Sequence, residues 1–383
     1  MIGESRDLSE LYWQVETASL EIPVMRPCLP SSQQLLPYLQ LIDDSRVYSN
    51  GGPLARAFES RLRTHFNVEA VTLCANATLG LALALLAQSP PMGSFCMVPA
   101  WTFAASAHAI YLAGLVPYIV DVDHDSQQLT ADMARDFLHH APGRVGAVMP
   151  VMPFGASADM LTWDTFRDET GLAVVMDAAS AFDTVRPGKT PCVVSLHATK
   201  VLGIGEGAFV ACTDPRLIEH VIRRGNFGFH GTRESIVPAI NAKLSEFSAA
   251  VGLAALDLWP SSRDQYLNVA KEYRLRLDRS VSMMPGQGDT WASSTMVVRV
   301  TNSEKGIASI IEGLRSSGIG SRCWWGGGLH RHSAFMECQR TDLTVTDDLA
   351  ASSLGLPCWP DLSARHIERI CTSLNAMAVP LAH

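Results

Sequence analysis

The 383 residues are 47% hydrophobic and 18% charged, which excludes a disordered chain and exceeds one ordinary core, so roughly two to three domains are expected. A formal charge of −8, a pI near 5.8 and the lack of a basic stripe exclude a protein built to hold nucleic acid. Nine scattered cysteines without a CxxC pair, no signal-peptide pattern and no apolar window of spanning length point to a reducing cytoplasm, with no disulfide framework and no membrane partner.

From about Val71 short apolar runs alternate with helical stretches. "AVTLCAN" is strand-like and leads into "ATLGLALALLAQ", rich in the strong helix formers Leu and Ala. "FCMVPA" is a second strand, followed by the small-residue helix "AASAHAIYLAG"; "VPYIVDVD" and "VGAVMPVM" follow. "GLAVVMDAAS" is an apolar run that ends abruptly in an acid. "CVVSLHATKVLGIGEGAFVAC" carries two apolar runs around a polar knot and a glycine-rich turn. This alternation predicts an α/β domain with a mostly parallel sheet flanked by helices. "RRGNFGFHGTR" is the densest basic patch, and its glycines and aromatics mark it as a ligand loop. "NAKLSEFSAAVGLAALDLW" predicts a long helix. Beyond it "STMVVRVT", "GIASIIEGLRSSGI" and "SARHIERICTSLNAMA" predict a smaller C-terminal α+β domain. The division expected is an extension at 1–25, a large domain at 26–260 and a small one at 261–383.

Open α/β sheets bind ligands at the carboxyl ends of their strands. There the sequence places Asn76, Ala77 and Thr78, then Trp101 to Phe103, Pro153 to Gly155, Asp177, and Ser195 to Lys200. A buried acid and a buried amine are both costly without a partner. An aldehyde cofactor on a pyridine ring meets both needs, the amine binding the aldehyde and the carboxylate holding the ring nitrogen protonated. A phosphate on the same cofactor suits the helix N-terminus at Thr78 and the hydroxyl of Ser195, and Phe103 or Trp101 could stack on the flat ring. The bland alternative stands beside it: Asp177 could cap a helix, Lys200 could form an ion pair, and Phe103 could be core. "LHRH" sets His330 and His332 two apart with no companion thiol or carboxylate pattern, which speaks for a surface or substrate loop and against a metal.

Read in order, "SNGGPLARAFESRL", "CANATLGLALALL", "VPAWTFAASAHAIYLAGLVPYIVDVD", "MPVMPFGASADM", "VVMDAASAF", "SLHATKVLGIGEGAFV" and "INAKLSEFSAAVGLAALD" resemble the DegT/DnrJ/EryC1/StrS family. The resemblance runs from about Arg26 to the closing "SLGLPCWPDLSARHIERI". It implies a fold-type-I aminotransferase dependent on pyridoxal 5'-phosphate, a homodimer with shared active sites that moves an amino group from glutamate to a nucleotide-linked keto-sugar. Carried over by motif, Lys200 is the Schiff-base lysine and general base, and Asp177 binds the pyridinium nitrogen. Ser195, Ala77 and Thr78 bind the phosphate, Phe103 and Ala179 cover the two ring faces, and Ser180 meets the ring oxygen. Asn241 reaches the phosphate of the neighbouring subunit, and His197 and His230 line the sugar site. The chain departs from the pattern in four places: Ala77-Thr78 stands where the family usually has Gly-Thr, Ser180 where it has Gln or His, the connection from Asp177 to Lys200 is shorter than usual, and "GEGAFV" replaces the more usual Glu-Gly-Gly run. The motifs look closest to members that aminate dTDP-4-keto-6-deoxyhexoses. The rivals are a non-catalytic sugar-nucleotide-binding or regulatory member and a cofactor-free lysine aldolase.

Overall fold

The computed structural model describes residues 20–300 and 306–378, so most of the extension expected at 1–25 lies outside the described residues. Two helices come first, α1 (Ser32–Ser45) and α2 (Pro53–Phe66). The alternating region then runs β1 (Ala70–Cys74), α3 (Ala77–Ala87), β2 (Phe95–Pro99), α4 (Ala104–Leu112), β3 (Val116–Val120), α5 (Ala131–His139), β4 (Val145–Val148) and α6 (Met160–Thr170). It continues through β5 (Ala173–Val174), β6 (Met176–Asp177), β7 (Cys192–Ser195), β8 (Ala208–Cys212) and α7 (Pro215–Gly225). The long α8 (Glu246–Arg276) leads to β9 (Val281–Met283), β10 (Met296–Val300), α9 (Gly306–Ser316), α10 (Thr344–Ser352), β11 (Ser353–Leu356) and α11 (Ala364–Met377).

The strands form two four-stranded pieces, β1-β8-β7-β6 and β3-β2-β4-β5. Val175 joins β5 to β6, its N–H donating to the Val148 carbonyl at 3.1 Å while Met176 N–H donates to Pro191 at 2.9 Å. The two pieces are therefore one continuous sheet. All its pairings are parallel except those of β8, which runs antiparallel to both β1 and β7.

Both faces of this sheet are covered, which is why its strands read as unbroken apolar runs. The period of two sorts neighbouring side chains to opposite layers. Met97, Val194 and Phe209 join the core beneath α2, α6 and α8. Val98, Val193 and Val210 join the core beneath α3, α4 and α7. Every strand of this sheet except β8 has its carboxyl end on the same side.

The sequence expects the long helix from Asn241, and the structure starts it at Glu246 with Ser245 as its cap, Oγ accepting from Ser248 N–H at 3.1 Å. The helix then runs on through Pro260 to Arg276, carrying its buried face from the large sheet to the C-terminal part. There β9, β10 and β11 form an antiparallel sheet packed with α9 and α11. Among the described residues no helix is long and apolar enough to cross a membrane. The nine cysteines are free thiols.

Candidate active site

Adjacent parallel strands β6 and β7 bring Asp177 level with Val193, two residues before Ser195. The loop after β7 then folds back over this edge. Lys200 N–H donates to His197 O at 2.9 Å, Ala198 N–H to Gly205 O at 2.8 Å, and Ile204 N–H to Leu196 O at 2.8 Å. Gly203 makes that closure possible, because a Cβ there would lie 2.6 Å from the Ala198 carbonyl oxygen. The glycine-rich turn therefore serves the lysine that precedes it.

Lys200 is half-buried and its Nζ donates to Ser180 Oγ at 2.8 Å. Desolvation lowers the pKa of this amine below the ordinary lysine value, while the charge of Asp177 works in the opposite direction. Asp177 is only 5% exposed. Burial raises its pKa, opposed by the hydroxyl of Ser106, the backbone N–H of Ala179 and the charge of Lys200. The Ser106 O–H donates to Oδ2 at 2.7 Å and the Ala179 N–H to Oδ1 at 3.1 Å. Asp177 is thus held by its own short loop and by α4, and it is not the cap of a helix starting at "AASAF".

At the neighbouring strand ends the Asn76 side chain caps α3 by accepting from Leu79 N–H at 3.0 Å. The amides of Ala77 and Thr78, the first two of α3, have no intrahelical acceptor, so they present the positive end of the helix to an anion. Ser195 Oγ accepts the His197 N–H at 3.2 Å, which leaves its own hydrogen for a further acceptor. The two candidate aromatics separate clearly. Phe103 is 61% exposed at the cap of α4, whereas Trp101 is 2% exposed and donates Nε1–H to Gln127 at 3.2 Å. Trp101 packs edge-on against Phe154 and Trp325, so its ring is committed to the core.

The donor set fits a phosphorylated pyridine aldehyde: a desolvated amine of lowered pKa, a buried carboxylate, helix-end amides with no intrahelical acceptor, a hydroxyl and an exposed flat ring. Ala179 is half-buried beside Asp177, and its carbonyl accepts Ser195 N–H at 3.3 Å. His197 is also half-buried, with Nδ1 2.8 Å from Thr199 Oγ1 and Nε2 3.6 Å from Glu206. His230 lies on the exposed loop after α7, 3.4 Å from Arg223. Asn241 is exposed in the strap whose next residue, Ala242, accepts Ala75 N–H at 2.8 Å just before α3. His330 departs from the surface reading: it is buried, with Nε2 3.1 Å from Asp347. Sequence reasoning missed Ser106, a serine in a run of small residues whose only signal was that it begins a helix after a strand.

The family model for the DegT/DnrJ/EryC1/StrS aminotransferase family matches residues 31–375. Protein Rv3402c of Mycobacterium tuberculosis is 29% identical over 94% of this chain and 90% of its own length. The dTDP-4-amino-4,6-dideoxy-D-glucose transaminase of Shigella dysenteriae is 27% identical over 92% of this chain and 98% of its own. GDP-perosamine synthase of Escherichia coli O157:H7 is 25% identical over 92% and 98%. Among solved structures, a PLP-dependent aminotransferase from Bacillus cereus superposes with a TM-score of 0.86 at 28% identity, covering 92% of this chain and 99% of that one. DesI, solved with its TDP-sugar product, superposes with a TM-score of 0.85 at 28% identity, covering 93% of each. The chain belongs to the DegT/DnrJ/EryC1/StrS aminotransferase family and is a pyridoxal-phosphate-dependent sugar aminotransferase.

Proposed function

We propose that the enzyme transfers an amino group from glutamate to a dTDP-4-keto-6-deoxyhexose. The observation that carries the chemistry is the placement of Asp177 at the end of β6 and of Lys200 on the loop after the adjacent β7, where each feels the other's charge and burial shifts their pKa values in opposite directions. Lys200 is the residue to bind the cofactor's aldehyde. Asp177 would hold its ring nitrogen, and Ser195 with the Ala77 and Thr78 amides its phosphate. Phe103 and Ala179 would cover its faces. Ser180, already within hydrogen-bond reach of Lys200 Nζ, would face its ring oxygen. Bound there, pyridoxal phosphate supplies an electron sink for the carbon that loses its proton.

The chain's own part is proton transfer and placement. Burial lowers the pKa of Lys200 Nζ, which favours its neutral form as the base that would take the proton from the donor's α-carbon. In the second half it returns a proton to the sugar carbon that gains nitrogen. Asp177 keeps negative charge at the ring nitrogen throughout, and Phe103 fixes the plane in which the reacting bond is cleaved. His197, on the loop after β7, and His230, on the exposed loop after α7, would meet the sugar nucleotide. The homodimer, in which Asn241 serves the neighbouring site, is supported by the exposed position of that side chain. A monomer mass at sedimentation equilibrium would remove that part. The chain would divide into a large domain at 26–260 and a small one at 261–383, with α8 shared between them.

The dTDP nucleotide and the 4-keto position rest on the Shigella relative and on DesI, while the GDP-perosamine relative marks the competing choice. The test is isotopic. Enzyme incubated with ¹⁵N-glutamate and matched dTDP-, GDP- and UDP-keto-sugars is expected to place ¹⁵N at carbon 4 of the dTDP sugar. Labelling of another nucleotide or carbon overturns the substrate, and labelling of none overturns the activity.

A further inference from the structure

Asp177 can hold a ring nitrogen protonated only while it remains a carboxylate itself. Burial works against this, because desolvation favours its neutral form. With a cofactor in place the single proton between Asp177 and the ring nitrogen has two possible homes. On nitrogen, the ring is cationic and draws electrons strongly; on Asp177, both partners are neutral and the ring draws weakly. Whatever solvates the carboxylate decides between them.

In this chain the solvation comes from two donors on opposite oxygens. Ala179 N–H serves Oδ1 from the loop after β6, and the Ser106 hydroxyl serves Oδ2 at 2.7 Å from the first turn of α4. Ser106 is wholly buried. Thr102 Oγ1 lies 2.9 Å from Ser106 Oγ and is itself 1% exposed. Ser106 has one hydroxyl hydrogen, and it goes to the carboxylate, so the Thr102 hydroxyl must be the donor of the second bond. The result is a directed chain, Thr102 to Ser106 to Asp177, in which each bond polarises the next. The positive end of α4 points the same way. The charged group acting on Asp177 is Lys200; the groups facing it from α4, from the Ala179 loop and from the Val151–Met152 backbone are uncharged. The same turn that leaves Phe103 outside at the cap sets Ser106 inside, three residues on.

We propose that Ser106, oriented by Thr102, is a positioning residue that keeps Asp177 ionised and so keeps the proton on the cofactor's ring nitrogen. The inference rests on the pyridoxal phosphate reading of the site and extends it to residues that do not touch the cofactor. It is tested with holoenzyme carrying pyridoxal phosphate labelled with ¹⁵N in the ring. The wild type is expected to give the shielded ¹⁵N signal of a protonated ring. Ser106→Ala should shift that signal toward the unprotonated position and lower kcat by roughly tenfold to a hundredfold, the loss expected of one donor to a charge, with KM for the sugar little changed. Ser106→Thr, which keeps the hydroxyl, should restore the protonated signal. Thr102→Val, similar in shape without the hydroxyl, should shift it in the same direction as Ser106→Ala and by less. A protonated signal in both Ser106→Ala and Thr102→Val overturns the inference, and Thr102→Val alone decides it where Ser106→Ala does not fold. An unprotonated signal in the wild type itself overturns instead the role given to Asp177.

Discussion

At the scale of single residues, the amine that is to hold the cofactor is also a liability to the empty protein. In the unfolded chain Lys200 keeps the ordinary pKa of 10.5, and folding lowers it by desolvation. Over the interval between the two values the unfolded chain binds the extra proton, so the cofactor-free protein gains stability as pH rises through it. The gain is at most about 1.4 kcal/mol per pH unit inside the interval. As pH falls below the interval, protonating the buried amine costs the folded state in full. Asp177, raised from 3.8, acts with the opposite sign in the acid range, where the folded state binds the extra proton. Lys200→Met removes the amine and keeps an unbranched chain. Urea unfolding of the cofactor-free variant between pH 7 and 10 should therefore show a flatter rise of stability with pH than the wild type. Parallel slopes would mean that the amine is not desolvated in the fold.

At the scale of elements, the molecule joins its helices through groups borrowed from distant parts of the chain. The N-cap of α2 is Gly52, which has no side chain to cap with. Its place is taken by Glu246 in the first turn of α8, 1% exposed, whose two carboxylate oxygens accept from Leu54 N–H at 2.7 Å and Ala55 N–H at 3.1 Å. A Cβ on Gly52 would lie 2.6 Å from Glu246 Cδ, so the glycine is what lets the foreign acid in. Glu246→Ala orphans two buried donors and should cost about 3 kcal/mol in urea unfolding, and Glu246→Gln, which retains one acceptor, about 1 kcal/mol. Equal midpoints for the wild type and Glu246→Ala would show that water satisfies these amides. None of this is readable in the sequence, because Gly52 and Glu246 are 194 positions apart and each looks locally ordinary. By contrast, the helices α3 and α4 and the strands before them stand out in sequence, since a Leu- and Ala-rich run after an apolar run has few other places to go.

At the scale of the whole molecule, alternating strands and helices announced a mostly parallel sheet covered on both faces, and the two cores on either side of β2, β7 and β8 have that form. What the pattern could not carry is strand direction. β8 is as continuously apolar as its neighbours, yet it runs antiparallel between β1 and β7, because the short glycine-rich connection after Lys200 is too tight for a crossover. That reversal is what folds the lysine loop back over the strand ends, so the least readable feature of the sheet is the one that presents the most readable residue of the site. Asp177 and Lys200 stood out because charge at the end of an apolar run is costly. Ser106 and Thr102 did not, because small hydroxyls at a helix start are ordinary caps until their partner is known.

The decisive bond is the one between pyridoxal phosphate and one of the chain's five lysines: Lys189, Lys200, Lys243 and Lys271 among the described residues, and Lys305 outside them. Reduction of the purified holoenzyme with borohydride, digestion and peptide mass spectrometry read that bond directly. The expected result is a phosphopyridoxyl group on the peptide that contains "SLHATK", at Lys200, and its disappearance in Lys200→Ala. A label on any other lysine, or none on a protein that still moves nitrogen from glutamate to sugar, would contradict the site.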